Sequence, residues 1–196
     1  MLDISHIGEE IFADIITHSP ACFALFRLQN TSWLALPNIQ LTSCGNYRFD
    51  GAHKLDIGIL DISKKECVAI ELKLGKDRLS ASQIDRRFLC NCGTSHNNSR
   101  ISGNMMAILE RKLPDQCKSC EIEISVEEEL YTLSKRWFFV CRQQVVDSWT
   151  VSKPSLSENC TIITAESIIE KLGDKSIFND IVKSHIDFDY YEKWIA

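Results

Sequence analysis

The chain has 196 residues, 44% of them hydrophobic and 25% charged, a balance that excludes global disorder and suits one domain with its own core. Its net charge of −5 argues against a uniformly basic nucleic-acid binder. No apolar run approaches the roughly 20 residues that a bilayer-spanning helix needs, so no membrane partner is expected.

In chain order, MLDISHIGEEIF lacks the basic start and apolar core of a secretion signal, and a reducing, cytoplasmic location is expected. The nine cysteines, an odd number, then read as buried thiols or metal ligands rather than disulfides. Ile4, Ile7, Ile11 and Ile15, widened by Phe12 and Ile16, mark the stripe of a helix over 4–18. ACFALFRL and SWLALP read as short strands, the second ended by Pro37. GNYRFDGAHK is turn-rich and leads into a strand near 54–60; DISKKE is a polar turn, and CVAIELKL completes a hairpin. Ser80 or Ser82 caps a predicted helix in ASQIDRRFLC, 91–103 reads as a polar loop, and NMMAILERKL as a short helix stopped by Pro114. Ser125 and Glu128 make a capping-box pattern that predicts a helix to about Lys135. RWFFVCR, VVDSWTV and CTIIT read as strands, AESIIEKL as a helix ending at Gly173, and the tail from Ser176 to Trp194 as helical. With no internal repeat and no linker, the pattern predicts a single α/β domain with a mixed sheet.

Three polar residues interrupt the apolar hairpin. Burying a carboxylate costs several kcal/mol unless a cation or hydrogen bonds compensate it. Glu71 and Lys73 stand at i and i+2 of one strand and share a face, while Leu72 faces the opposite layer. Fourteen residues separate Asp56 from Glu71, a hairpin length that folds the two carboxylates side by side. Asp61 lies too near the hairpin tip to join them, and Asp50 sits in the irregular lead-in. Two converging carboxylates repel, and one or two Mg²⁺ (or Mn²⁺) ions would resolve the repulsion. Such a metal activates water and clamps a phosphate oxygen, with Lys73 orienting the water or stabilising the added charge.

D-x14-E-x-K on a hairpin, followed by a predicted helix, resembles the PD-(D/E)XK nuclease superfamily, to which many restriction endonucleases belong. The resemblance covers about residues 45–142, between the helix 4–18 and a strand and helical extension over 143–196. It implies an α/β fold with a restriction-endonuclease-like mixed sheet of about four or five strands flanked by helices. It also implies Mg²⁺-dependent cleavage of phosphodiester bonds: Asp56, Glu71 and the backbone carbonyl of Leu72 hold metal, and Lys73 assists the water. Gln83, in SQIDRRF, matches the glutamine that several branches carry on the following helix. Glu9 or Glu10 matches the further acid some branches place on an N-terminal helix. Leu55 stands where the family name has proline.

Between Lys64 and Lys112, ten Lys/Arg face five Asp/Glu, a local +5, against 12 basic and 22 acidic residues elsewhere. Lys76, Arg78, Arg86, Arg87 and Arg100 in this window are the candidate phosphate contacts, and SHNNS is a candidate for base edges. A solvated helix face is the plainer reading of the same arginines. Cys90-x-Cys92 and Cys117-x-x-Cys120 carry the spacing of two half-sites for a structural Zn²⁺, with His96 as a substitute ligand; an iron–sulfur cluster ranks below zinc. The expected function is that of a Mg²⁺-dependent nuclease, with DNA the first substrate and RNA the second, in restriction, phage defence or DNA processing. A homodimer or a defence-complex subunit would be its partner. The alternative is an inactive nucleic-acid-binding or assembly subunit that keeps the fold.

Overall fold

The computed structural model describes residues 4–28, 32–44, 47–48, 54–74, 122–150 and 160–195. In chain order they form α1 (Ile4–His18), α2 (Pro20–Leu25), β1 (Trp33–Cys44), β2 (Tyr47–Arg48), β3 (Lys54–Asp61), β4 (Glu66–Lys73), β5 (Ile122–Val126), β6 (Glu129–Cys141), α3 (Gln143–Thr150), β7 (Cys160–Thr164), α4 (Ala165–Leu172) and α5 (Lys175–Ile195). The predicted helices at 81–90 and 104–113, and the loop between them, lie outside these residues. Among the described residues no helix is long and apolar enough to cross a membrane.

The class is mixed α/β as expected, but among the described residues the sheet has seven strands rather than four or five. β1, β3 and β4 run as an antiparallel meander. β6 lies parallel to β4, and β7 parallel to β6. Parallel neighbours need a long crossover, and residues 75–121 with β5 intervene. β5 pairs antiparallel with β6 on one side and with the far end of β1 on the other, Leu41 opposite Ile124. The ring β1–β3–β4–β6–β5 therefore closes on itself.

Period-two burial then gives the sheet two apolar faces. Ile57, Ile59, Val68, Ile70, Phe138 and Val140 join one cluster with Ile15 and Ile16 of α1, Phe23 of α2, Ile168 of α4 and Ile181 of α5. Ile39, Leu41, Leu60, Cys67, Ala69, Ile124 and Phe139 are buried as well but stand outside that cluster, on the ring's other face. Polar anchors fix the helices. The Thr17 hydroxyl accepts from Ala35 N–H at 3.2 Å and lies 3.3 Å from Ala35 O, tying α1 to β1. The Ser19 hydroxyl donates to Lys171 O at 3.2 Å, tying the start of α2 to the end of α4. Phe26 meets Phe138 edge-on with ring centroids 5.2 Å apart.

Four predicted elements differ. ACFALFRL is not a strand: Pro20 opens α2, and Cys22, Phe23 and Phe26 are buried at helical spacing. Pro37 does not end its strand. β1 runs on to Cys44 because β5 joins it only from Leu41, leaving Pro37 paired on the β3 side alone, where a missing N–H is tolerated. The capping-box pattern at Ser125 and Glu128 forms no helix. Glu127 and Glu128 take φ of 50° and 69° and make the two-residue turn between β5 and β6, a mirror-image turn that suits strand twist. VVDSWT, the described part of VVDSWTV, is helical in α3: Glu166 accepts from Gln143 N–H at 2.9 Å, and Gln143 bonds Asp147 one turn on at 2.8 Å. Those contacts outweigh the strand preference of its valines and Trp149.

The turn between β3 and β4 is organised by Asp61. Its Oδ1 accepts from Ser63 N–H at 3.0 Å, the Ser63 hydroxyl at 2.6 Å and Lys64 N–H at 3.0 Å. Burial alone would raise its carboxyl, but the Ser63 hydroxyl, the two turn amides and the Lys64 charge together hold it below the ordinary aspartate value. A lowered folded pKa contributes stability above the unfolded value that is lost as pH falls through the folded one. Asp61→Asn should cost about 1–2 kcal/mol at pH 7 in urea melts, a deficit that shrinks below about pH 4. The second test is steric. A Cβ at Gly58 would stand 2.5 Å from Ile39 Cδ1 and 2.8 Å from Cys67 Sγ. Gly58→Ala should lose about 1–3 kcal/mol, with part recovered when Ile39→Val is added.

Candidate active site

Asp56, Glu71 and Lys73 lie where β3 and β4 part. The ladder between them runs from Asp61 opposite Glu66 to Ile57 opposite Ile70, although β3 extends back to Lys54 and β4 on to Lys73. One position further, the same register sets Asp56 across from Glu71. In that gap Asp56 Oδ2 accepts from Leu72 N–H at 2.9 Å, a side chain bonding a strand amide across the open end of the ladder. Both carboxylates are withdrawn from solvent, Asp56 at 6% and Glu71 at 3% exposure.

The i, i+2 expectation for β4 holds. Lys73 Nζ pairs with Glu71 Oε1, their side chains 15% and 4% exposed. Leu72 points the other way and packs with Leu74 against the helix-covered cluster. β6 supplies the floor: Phe139 lies beside Glu71 and Cys141 beside Lys73 in the parallel register. Burial pushes the Cys141 thiol up to about 12, with Lys73 opposing and Glu71 adding to the rise. Burial thus favours the neutral thiol at pH 7.

Asp56 lies where two strands change face together. Trp33 and Ala35 of β1 join the helix-covered cluster, and strict alternation would send Ile39 there too. Instead Ile39 Cδ1 fills the space over Gly58 beside Cys67 Sγ, on the opposite face. Leu55, paired with Ile39, is buried and likewise outside the cluster that holds Ile57 and Ile59. The β1–β3 register passes from Pro37 opposite Ile57 to Ile39 opposite Leu55, stepping over Asn38 and Asp56. Asn38 has φ of 55°, a left-handed conformation inside a strand. Each strand thus uses one residue to change face, and the pairing resumes in step.

The other candidates disperse. Glu10 is exposed in the seam between α1 and α5, its Oε2 3.5 Å from His185 Nδ1, while Asp14 Oδ2 lies 2.7 Å from His185 Nε2. Glu9 is the buried acid of α1 at 8% exposure, next to Gly8, whose Cβ position is 3.4 Å from Leu74 Cδ1 and 3.9 Å from Leu72 Cδ2. Gln83, Lys76, Arg78, Arg86, Arg87, Arg100, His96 and the four cysteines Cys90, Cys92, Cys117 and Cys120 lie outside the described residues. Among the described residues no three His, Cys, Asp or Glu side chains gather as a metal cluster. What they offer is two buried carboxylates at facing positions of the β3–β4 register, hard oxygen donors of the kind Mg²⁺ takes. Sequence spacing did not reveal Cys141 or the role of Asn38; the available signal was a Pro-Asn pair within a strand, which reads as a strand end. No protein-family model, curated protein or solved structure matches the chain.

The Asp56 contact can be tested without reference to activity. Asp56→Leu leaves the Leu72 N–H without its acceptor and should cost about 1–3 kcal/mol in denaturant melts. Asp56→Asn retains an acceptor oxygen and should cost clearly less.

Proposed function

We propose that this chain is a Mg²⁺-dependent nuclease of the PD-(D/E)XK kind, hydrolysing phosphodiester bonds of DNA. The observation that carries the reading is the pair of nearly buried carboxylates, Asp56 and Glu71, at the parting of two strands with the Lys73 ammonium against Glu71. Two carboxylates withdrawn from water there call for compensating contacts, among them the Lys73 pairing with Glu71 and the Leu72 amide on Asp56, and a divalent ion would use the charge of both. The mixed sheet with its helix-covered face agrees with this reading, and the finer likeness to restriction endonucleases is part of the proposal.

In this reading Asp56, Glu71 and the Leu72 carbonyl hold the ion. When bound, the metal supplies Lewis-acid polarisation of a phosphate oxygen and a lowered pKa for water. Asp56 is held by the Leu72 amide, so its second oxygen keeps a set direction. Lys73 supplies positive charge where negative charge grows on the phosphate in the transition state, and its pairing with Glu71 keeps the ammonium in place beforehand. Phe139 and Cys141, both fully buried, exclude water from the floor and strengthen these interactions. Gln83 would support the site, and Lys76, Arg78, Arg86, Arg87 and Arg100 would meet the phosphate backbone.

Thermal melts with and without Mg²⁺ or Mn²⁺, beside cleavage of plasmid, single-stranded DNA and RNA, test the proposal. The metal should raise the melting temperature of the wild type, and Asp56→Asn should abolish both that shift and cleavage while remaining folded. Lys73→Ala should keep the melting shift and lose about a hundredfold or more in turnover. A folded wild type that neither responds to metal nor cuts any substrate is an inactive scaffold instead.

A further inference from the structure

We infer that Asn38 is a positioning residue for Asp56, acting through the backbone of β1. The two residues occupy matching places in the β1–β3 register, between the pairs Pro37–Ile57 and Ile39–Leu55. Both strands change face there, as Ile39 over Gly58 records for β1. The step in β1 is made by the φ of 55° at Asn38, a conformation that asparagine and glycine adopt readily and that side chains with a bulky Cβ resist. Pro37, just before it, brings no N–H to the β3 ladder. Without the step in β1, the step in β3 would throw Leu55 and Ile39 to opposite faces, and β3 would straighten to keep its pairing. A straightened β3 returns Asp56 to ordinary alternation and takes its carboxylate away from the Leu72 amide. A left-handed residue inside a strand is strain that the surrounding fold must support, and here it lies across from the acid at the candidate site.

Only the consequence for metal rests on the nuclease reading; the coupling of Asn38 to the Asp56–Leu72 bond does not. The experiment is amide hydrogen exchange by NMR on the full chain, comparing the wild type with Asn38→Gly and Asn38→Ala, and reading Leu72 against Ile59 and Phe138 of the same sheet. Asn38→Ala should speed Leu72 exchange by about tenfold or more relative to those references, while Asn38→Gly, which permits the same backbone turn, stays within about threefold of wild type. The Mg²⁺-induced rise in melting temperature should follow the same order. If Asn38→Ala does not fold, Asn38→Ser takes its place in the comparison. Unchanged Leu72 protection in the alanine or serine variant would overturn the inference, as would a glycine variant as impaired as alanine. A wild type with no Mg²⁺ response sinks the nuclease reading alone, since the Leu72 comparison still decides the positioning role.

Discussion

A carboxylate taken out of water loses several kcal/mol of hydration, and a folded chain must return most of it through hydrogen bonds or a counter-charge. Asp56 meets that demand in an unusual way, by bonding a strand amide where the β3–β4 ladder has ended. Much of the local architecture follows. The strands part because the acid stands between them, β1 kinks in step so that the apolar residues beyond remain buried, and Leu72 is left facing the helices while its neighbours Glu71 and Lys73 face the other way.

Around this contact the hairpin gathers buried charge. Glu71 is even more buried than Asp56, with the Lys73 ammonium drawn onto it, and the fully buried Phe139 and Cys141 lie beside them. Asp61, at the other end of the same hairpin, shows the contrast. It is completely buried too, yet three donors and Lys64 converge on it, and its work is to close a turn. Two acids on one strand thus have different environments: one has its Oδ1 ringed by the donors of its own loop, the other is held at the mouth of a gap.

Elements with strong periodicity were legible from sequence. The isoleucine stripe of α1, the 54–73 hairpin and the AESIIEKL helix with Thr164 at its start and Gly173 at its end all follow from local chemistry. The Glu71–Lys73 pair was legible for the same reason, since i, i+2 geometry holds on any strand. What escaped depends on neighbours distant in sequence. VVDSWT is helical because Glu166 caps it, β1 passes Pro37 because only one edge is paired there, and the Ser125–Glu128 pattern yields to strand pairing on both sides. The gap at Asp56 escaped too: spacing could set two acids side by side, but the joint change of face in β1 and β3 exists only once the strands are paired.

That joint change constrains how the sequence can drift. Deleting one residue from β1 alone at this point, or one from β3 alone, would shift the pairing beyond it by one and set side chains of opposite faces against each other. Deleting Asn38 and Asp56 together would restore plain alternation, since Pro37 and Ile39 would become neighbours opposite Ile57 and Leu55, which would also be neighbours. The core would then be repaired and the acid gone. The carboxylate can therefore be deleted with the pairing kept in step only when both strands shorten at once, so the register itself shields it from single slips.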